Sequence, residues 1–112
     1  MRKFNLFEKN CIEKVVFSEE FPIRVITSIL KKGLTNDEVH EHPEDCECYF
    51  VLEGEIQLEI NGKIILVDSN ELCVVEKNEK HRIVQALKDS RLIIIRSRIG
   101  LIERIPKKCG LC

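Results

Sequence analysis

The chain has 112 residues and a mass of 13.0 kDa, enough for one domain and too little for a second. Hydrophobic residues make up 44% and charged residues 33%, which excludes a disordered chain. Eighteen bases against nineteen acids give a net charge of −1, so no global basic field exists to attract nucleic acid.

Residues 1–10 carry an Arg2-Lys3 pair but no apolar stretch of the kind a secretory signal needs, so the expected compartment is the cytoplasm. Apolar runs such as Leu92-Ile93-Ile94-Ile95 are far short of the roughly 20 residues of a membrane span, so no membrane partner is expected. Residues 1–20 are set apart as an N-terminal arm, 21–103 as the folded domain and 104–112 as a tail. Apolar residues in the arm (Phe4, Phe7, Cys11, Val15, Val16) follow no period, and no element is assigned there.

From residue 21 onward the chain reads as short strands separated by turn signals. Ile23 to Leu30 is a strand with apolar character on both faces, ended by Lys31-Lys32-Gly33. Cys48 to Leu52 is a second strand, closed by Glu53-Gly54. Glu55, Gln57 and Glu59 then alternate with Ile56, Leu58 and Ile60, the pattern of a half-buried strand. Asn61-Gly62 follows, then Lys63 to Val67; an Asn-Gly pair between two apolar strands signals a two-residue hairpin with positive φ at both positions. Leu72 to Val75, Arg82 to Ala86 and Arg91 to Ile99 complete the set. The last has an apolar centre on both faces and reads as a central strand. The whole is all-β: a single antiparallel barrel or jelly roll.

Charge is unevenly spread. Residues 36–59 hold nine acids and no Lys or Arg, whereas residues 91–108 hold six bases and one acid. These are either solvated faces or a field that gathers cations near the acidic stretch.

His40, His42 and His81 are the three histidines. His40-Glu41-His42 places two imidazoles on the same side of an extended backbone, so both can reach one cation. Pro43-Glu44-Asp45 is a turn that brings Glu47 back towards them. The pattern His40-x-His42-(x)4-Glu47-(x)6-Gly54, followed by a hairpin and a later histidine, resembles the metal-binding motifs of the cupin family. The match covers about residues 20–100. Gly33 stands one residue further upstream than the family's opening glycine. In the second motif a glycine is expected near Ser69 or Asn70, a proline near Glu76 and a glycine near Glu79, and none is present.

The resemblance implies His40, His42, Glu47 and His81 as ligands of one divalent transition metal (Mn, Fe, Ni, Co, Cu or Zn). Such a donor set suits these ions and not calcium. Strand alternation places Tyr49 and Val51 beside Glu47, and Ile83 and Gln85 beside His81. Tyr49 and Gln85 are therefore candidate substrate-binding groups in an otherwise apolar lining, which suits a small-molecule ligand. No further Asp, Glu or Lys falls at an inward position by alternation. Cys46 and Cys48 flank Glu47 and face away from it, and Cys73 reads as core. Cys109 and Cys112 form a terminal CxxC, either half of a second metal site or a redox pair.

The reading that follows is a metal-binding cupin, with a metal-dependent oxygenase acting on a small organic ligand as the first function. The alternatives are a non-catalytic metal-containing sensor or binding protein and, behind it, a sugar isomerase or epimerase. The family also implies a homodimer.

Overall fold

The computed structural model describes residues 23–98 in full, with residues 1, 3 and 5–7 and the backbone of residues 13–17. The terminal pair Cys109 and Cys112, the tail and the end of the last strand at Ile99 lie outside the described residues. Among those described there are nine strands: β1 (Glu13–Phe17), β2 (Ile23–Leu30), β3 (Gly33–Leu34), β4 (Cys46–Glu53), β5 (Glu55–Ile60), β6 (Lys63–Asp68), β7 (Leu72–Val75), β8 (His81–Ala86) and β9 (Ser90–Ser97). No helix among them is long and apolar enough to cross a membrane.

Two antiparallel sheets face each other, ordered β1-β2-β9-β4-β7 and β3-β8-β5-β6. Seven strands stand where the sequence pattern places them. The two additions are β1, in the segment set aside as an arm, and the two-residue β3. β1 pairs with β2 along its whole length, from Glu13 opposite Ser28 to Phe17 opposite Arg24. As the pattern of Leu92 to Ile95 requires, β9 is interior to its sheet, flanked by β2 and β4.

The core lies between the sheets. Val51, Ile56, Leu58 and Leu92 are fully buried, with Val67, Val75 and Tyr49 beside them. Burying each such side chain stabilises the fold by about 1.5–3 kcal/mol relative to exposure. The β5–β6 hairpin turns at Asn61 (φ 50°) and Gly62 (φ 81°), both left-handed as a type I′ turn demands. At the other end of β5, Gly54 (φ +99°) packs against β9 so tightly that an added Cβ would collide with the Ser90 hydroxyl and approach Ser90 Cα to 2.7 Å.

Two turns in which the resemblance expects glycine keep their shape without it. Asn70 (φ 67°) and Asn78 (φ 65°) take left-handed conformations. Asparagine enters this region more readily than other side chains because its short amide can hydrogen-bond locally. The second of these turns also holds itself: Glu79 Oε1 accepts from the Glu76 N–H at 2.8 Å, and the Glu79 N–H donates to the Glu76 carbonyl at 3.2 Å. His81 is thereby delivered to the start of β8.

Candidate metal centre

Three separate pieces of chain bring the site together. His40 and His42 lie on the connection before β4, Glu47 is on β4 and His81 opens β8. Backbone bonds lock the pieces in register. His40 and His81 form an isolated antiparallel bridge, exchanging N–H···O bonds of 3.0 and 2.8 Å, and the Asn78 N–H donates to the His42 carbonyl at 3.0 Å. One ligating atom from each of His40, His42, Glu47 and His81 lies within 4.8 Å of the others. The imidazole centroids are 4.3 Å (His40–His81), 5.1 Å (His40–His42) and 5.3 Å (His42–His81) apart.

Glu47 sits at the centre. Its Oε2 is 3.0 Å from His42 Nε2 and its Oε1 is 3.4 Å from His81 Nε2. His40 Nδ1 contacts the Glu38 carbonyl at 2.7 Å, and His81 Nδ1 contacts the Glu79 carbonyl at 2.8 Å. A carbonyl only accepts, so in both rings the proton sits on Nδ1 and the Nε2 lone pair is free, the tautomer a metal requires.

Burial works against the Glu47 charge, but the close approach of His81, the hydrogen bond from Tyr49 and the fields of His81 and His42 outweigh it. Its carboxyl is held below the usual range. For His81, burial disfavours the cation, yet the Glu47 carboxylate 3.4 Å away and the bond to the Glu79 carbonyl raise its pKa above 6.5. His42 moves the other way: burial comes first, and Arg96, His40 and His81 add to it against the pull of Glu47.

The residues fit a divalent transition metal. The Nε2 atoms of His42 and His81 are shut off from solvent without a hydrogen-bond partner. Buried polar atoms are rarely left so, and a cation held by both nitrogens resolves the deficit. Three neutral imidazoles and one carboxylate would leave a net charge of +1 on a divalent ion.

A cavity of about 330 Å³ adjoins the tetrad. Tyr49 lines it, with its ring centroid 6.2 Å from that of His81. Burial, then the Glu47 charge and their hydrogen bond, push its phenol pKa far upward, so it stays a neutral donor. Gln85 is not in the cavity. β5 and β8 slip by one residue between Gln57 and Leu58, so that Leu58 faces Ile83 while Gln57 faces Gln85. The extra residue, Val84, reverses the alternation beyond it. Gln85 then donates to Gln57 Oε1 at 2.6 Å, beside the outward-facing polar row of β5.

Two charged residues stand in the lining that alternation did not predict. Asp37 lies on the loop before His40 and accepts the Ile83 N–H at 2.8 Å. Arg96, near the end of β9, is the second. Alternation would put Arg96 on the same side as Ile94 and Leu92, but with both faces of β9 apolar the sequence gives no phase. Cys46 and Cys48 are buried away from the cavity, and burial with the nearby Cys73 pushes the Cys48 thiol up to about 11, so it is an unreactive core group.

A family model described as a cupin domain matches residues 27–95. The solved structures similar to this chain include an RmlC-like cupin from Desulfovibrio desulfuricans, at 22% identity and a TM-score of 0.70, spanning 88% of this chain and 97% of that one. A cupin from Bacteroides fragilis is similar at 19% identity and a TM-score of 0.69, over 100% of this chain and 98% of that one. KdgF from a Halomonas species is similar at 17% identity and a TM-score of 0.63, over 80% and 79%. No protein of curated function matches the sequence. By the family match, the paired sheets and the position of the tetrad, this chain belongs to the cupin family.

Proposed function

We propose that the protein is a metal-dependent enzyme of the oxygenase kind acting on a small organic ligand. The observation that carries this is the convergence of His40, His42, Glu47 and His81 on one point, with His40, His42 and Glu47 lining a cavity that also holds Ile26, Leu30, Ile83 and Ile94. When bound, the metal supplies open coordination positions and a Lewis-acid centre for substrate and dioxygen. His40 and His81, held by backbone carbonyls, keep their rings aimed at the centre. Tyr49 holds a neutral hydroxyl at the cavity wall, where it donates to Glu47 or to an oxygen of the ligand. Ile26, Ile83 and Ile94 exclude water from the ligand's apolar part.

Asp37 supports a second reading. It adds a carboxylate to the lining, and a carboxylate beside a metal-bound ligand suits proton transfer, as in an isomerase or epimerase. The working unit on either reading is a homodimer. Support comes from the exposed Ile64, Ile65 and Leu66 of β6, an edge strand that pairing would cover.

The experiment is metal analysis by mass spectrometry followed by oxygen uptake with a panel of small organic acids. About one transition metal per chain, lost in His42→Ala, with oxygen consumed by a metal-loaded sample, is the expected result. A chain that takes up no metal after reconstitution overturns the reading. Metal uptake with no oxygen consumption, and exchange of a substrate C–H with solvent deuterium instead, moves it to proton transfer. Light scattering checks the dimer.

A further inference from the structure

Among the described residues, three buried side-chain nitrogens lack a hydrogen-bond partner: His42 Nε2, His81 Nε2 and Arg96 Nε. A metal accounts for the two imidazoles. It cannot account for Arg96, because a guanidinium has five N–H donors and no lone pair to offer a cation. The Arg96 Nε–H is aimed past Glu47, at 3.6 Å from Oε2, too far for a hydrogen bond. Nη2 is engaged, donating to Asp45 Oδ2 at 2.8 Å and to His42 Nδ1 at 3.1 Å. Arg24 stands directly opposite Arg96 in the β2–β9 register, so two bases share one level of that sheet.

The contact with His42 has a chemical consequence. Arg96 can only donate, so in this arrangement His42 Nδ1 accepts and the ring's proton belongs on Nε2. Ligation through Nε2 needs the other tautomer, with Nδ1–H facing a guanidinium that cannot accept it. The two donors repel, and one Nη2 N–H is released together with the idle Nε–H. A dication would at the same time claim much of the Glu47 charge that now faces Arg96. The released pair of donors is the planar fork that a carboxylate accepts with two parallel bonds. Asp45 keeps the guanidinium at the cavity wall throughout. Asp37, whose Oδ2 is tied to the Ile83 N–H, adds a negative charge to the same lining, which disfavours a second carboxylate on the ligand.

We infer that Arg96 is the specificity-determining residue of the cavity and that the ligand is a small monocarboxylate, its carboxylate bound by the Arg96 Nε–H and Nη2–H. This rests on the reading of the tetrad as a metal centre, which is tested first and by a separate measurement. The probe is lactate, compared with lactamide, which has the same shape without the charge, and with malate, which adds a second carboxylate. Nickel content of the reconstituted protein is measured, then each compound is titrated calorimetrically into the nickel-loaded sample.

Lactate is expected to bind more tightly than lactamide and malate. Arg96→Gln is expected to weaken lactate about tenfold to hundredfold, the worth of a charge-assisted pair of bonds, while lactamide and nickel content are unchanged. Arg96→Lys retains part of the preference. If Arg96→Gln loses nickel or fails to fold, Arg96→Lys decides: it keeps the charge without the fork, and lactate binding there as tightly as in the wild type overturns the inference. Equal affinity for lactate and lactamide, or unweakened lactate binding by nickel-loaded Arg96→Gln, overturns the inference. Malate binding as tightly as lactate overturns the restriction to one carboxylate. Failure of the wild type to hold nickel removes the metal centre itself, and this inference with it.

Discussion

The two ends of the barrel are built on opposite terms. At the end around Gly54, each polar group is answered. The Ser69 hydroxyl receives the Gly54 N–H at 3.1 Å and donates to the Gly54 carbonyl at 3.0 Å. The Ser90 hydroxyl receives the Glu55 N–H at 3.1 Å and donates to the Lys88 carbonyl at 2.7 Å. Next to these bonds lie Val51, Ile56 and Leu92, all without solvent exposure. At the other end, three buried nitrogens have no partner and a central carboxylate is crowded by imidazoles and a guanidinium. Unsatisfied buried groups cost stability, typically about 1–3 kcal/mol each. A fold retains them where something other than stability is gained, and the filled end supplies what the open end forgoes.

Substitutions at the two ends should therefore separate stability from metal binding. The largest effect expected is on the filled end: Leu92→Ala should lower unfolding free energy by about 2–5 kcal/mol, since a packed side chain leaves a cavity behind. Urea unfolding measures this, and metal per folded chain should be unchanged. At the open end, His42→Ala should abolish stoichiometric metal uptake yet lower the metal-free unfolding free energy by only about 1 kcal/mol, because the bond that its Nδ1 receives from Arg96 is lost together with a buried Nε2 that has none. A large loss of metal-free stability in His42→Ala would break the contrast.

A pH series sharpens it. The raised pKa of His81 means that its contribution to the metal-free fold is fully present below the ordinary value of 6.5 and is lost as pH rises through the raised value. Metal has to displace the same proton, so affinity should climb across that window, the reverse of the stability trend. Competitive nickel titrations and urea midpoints over the same pH steps check both slopes. The smallest effect belongs to the turn before His81. Asn78→Gly should change stability by less than about 0.5 kcal/mol, because both residues accept a left-handed φ, whereas Asn78→Val should cost about 1–2 kcal/mol.

The strands that build the filled end were legible because Ile56, Leu58 and Ile60 alternate with polar neighbours, and because Asn61-Gly62 admits one kind of turn. The tetrad was legible because two histidines spaced by one residue share a side, and the resemblance supplied Glu47 and His81. What escaped has specific physical causes. Gln85 was misdirected because a one-residue slip at Val84 inverts alternation, and nothing in the side chains around it announces the slip. Asp37 lies on a loop, where no period exists to read. Arg96 belongs to a strand apolar on both faces, so its phase was undetermined. β1 was missed because Val15 and Val16 follow no clear alternation, and it is recruited by the exposed edge of β2. The absent glycines of the second motif were replaced by Asn70 and Asn78, which provide the same backbone shape.

The placement of β9 also bears on how the chain assembles. Ile23 is paired with Ser97 and Leu30 with Ser90, so β2 receives its inner partner only after nearly all the strands that follow it have been made. β4 waits for the same strand on one side. Contacts so distant in sequence make folding slow, and until β9 inserts, two apolar strand edges stay open to other molecules. Arg96 arrives with that strand. Ligand selection and the closing of the larger sheet are thus one event, and a nascent chain that has not completed β9 has neither.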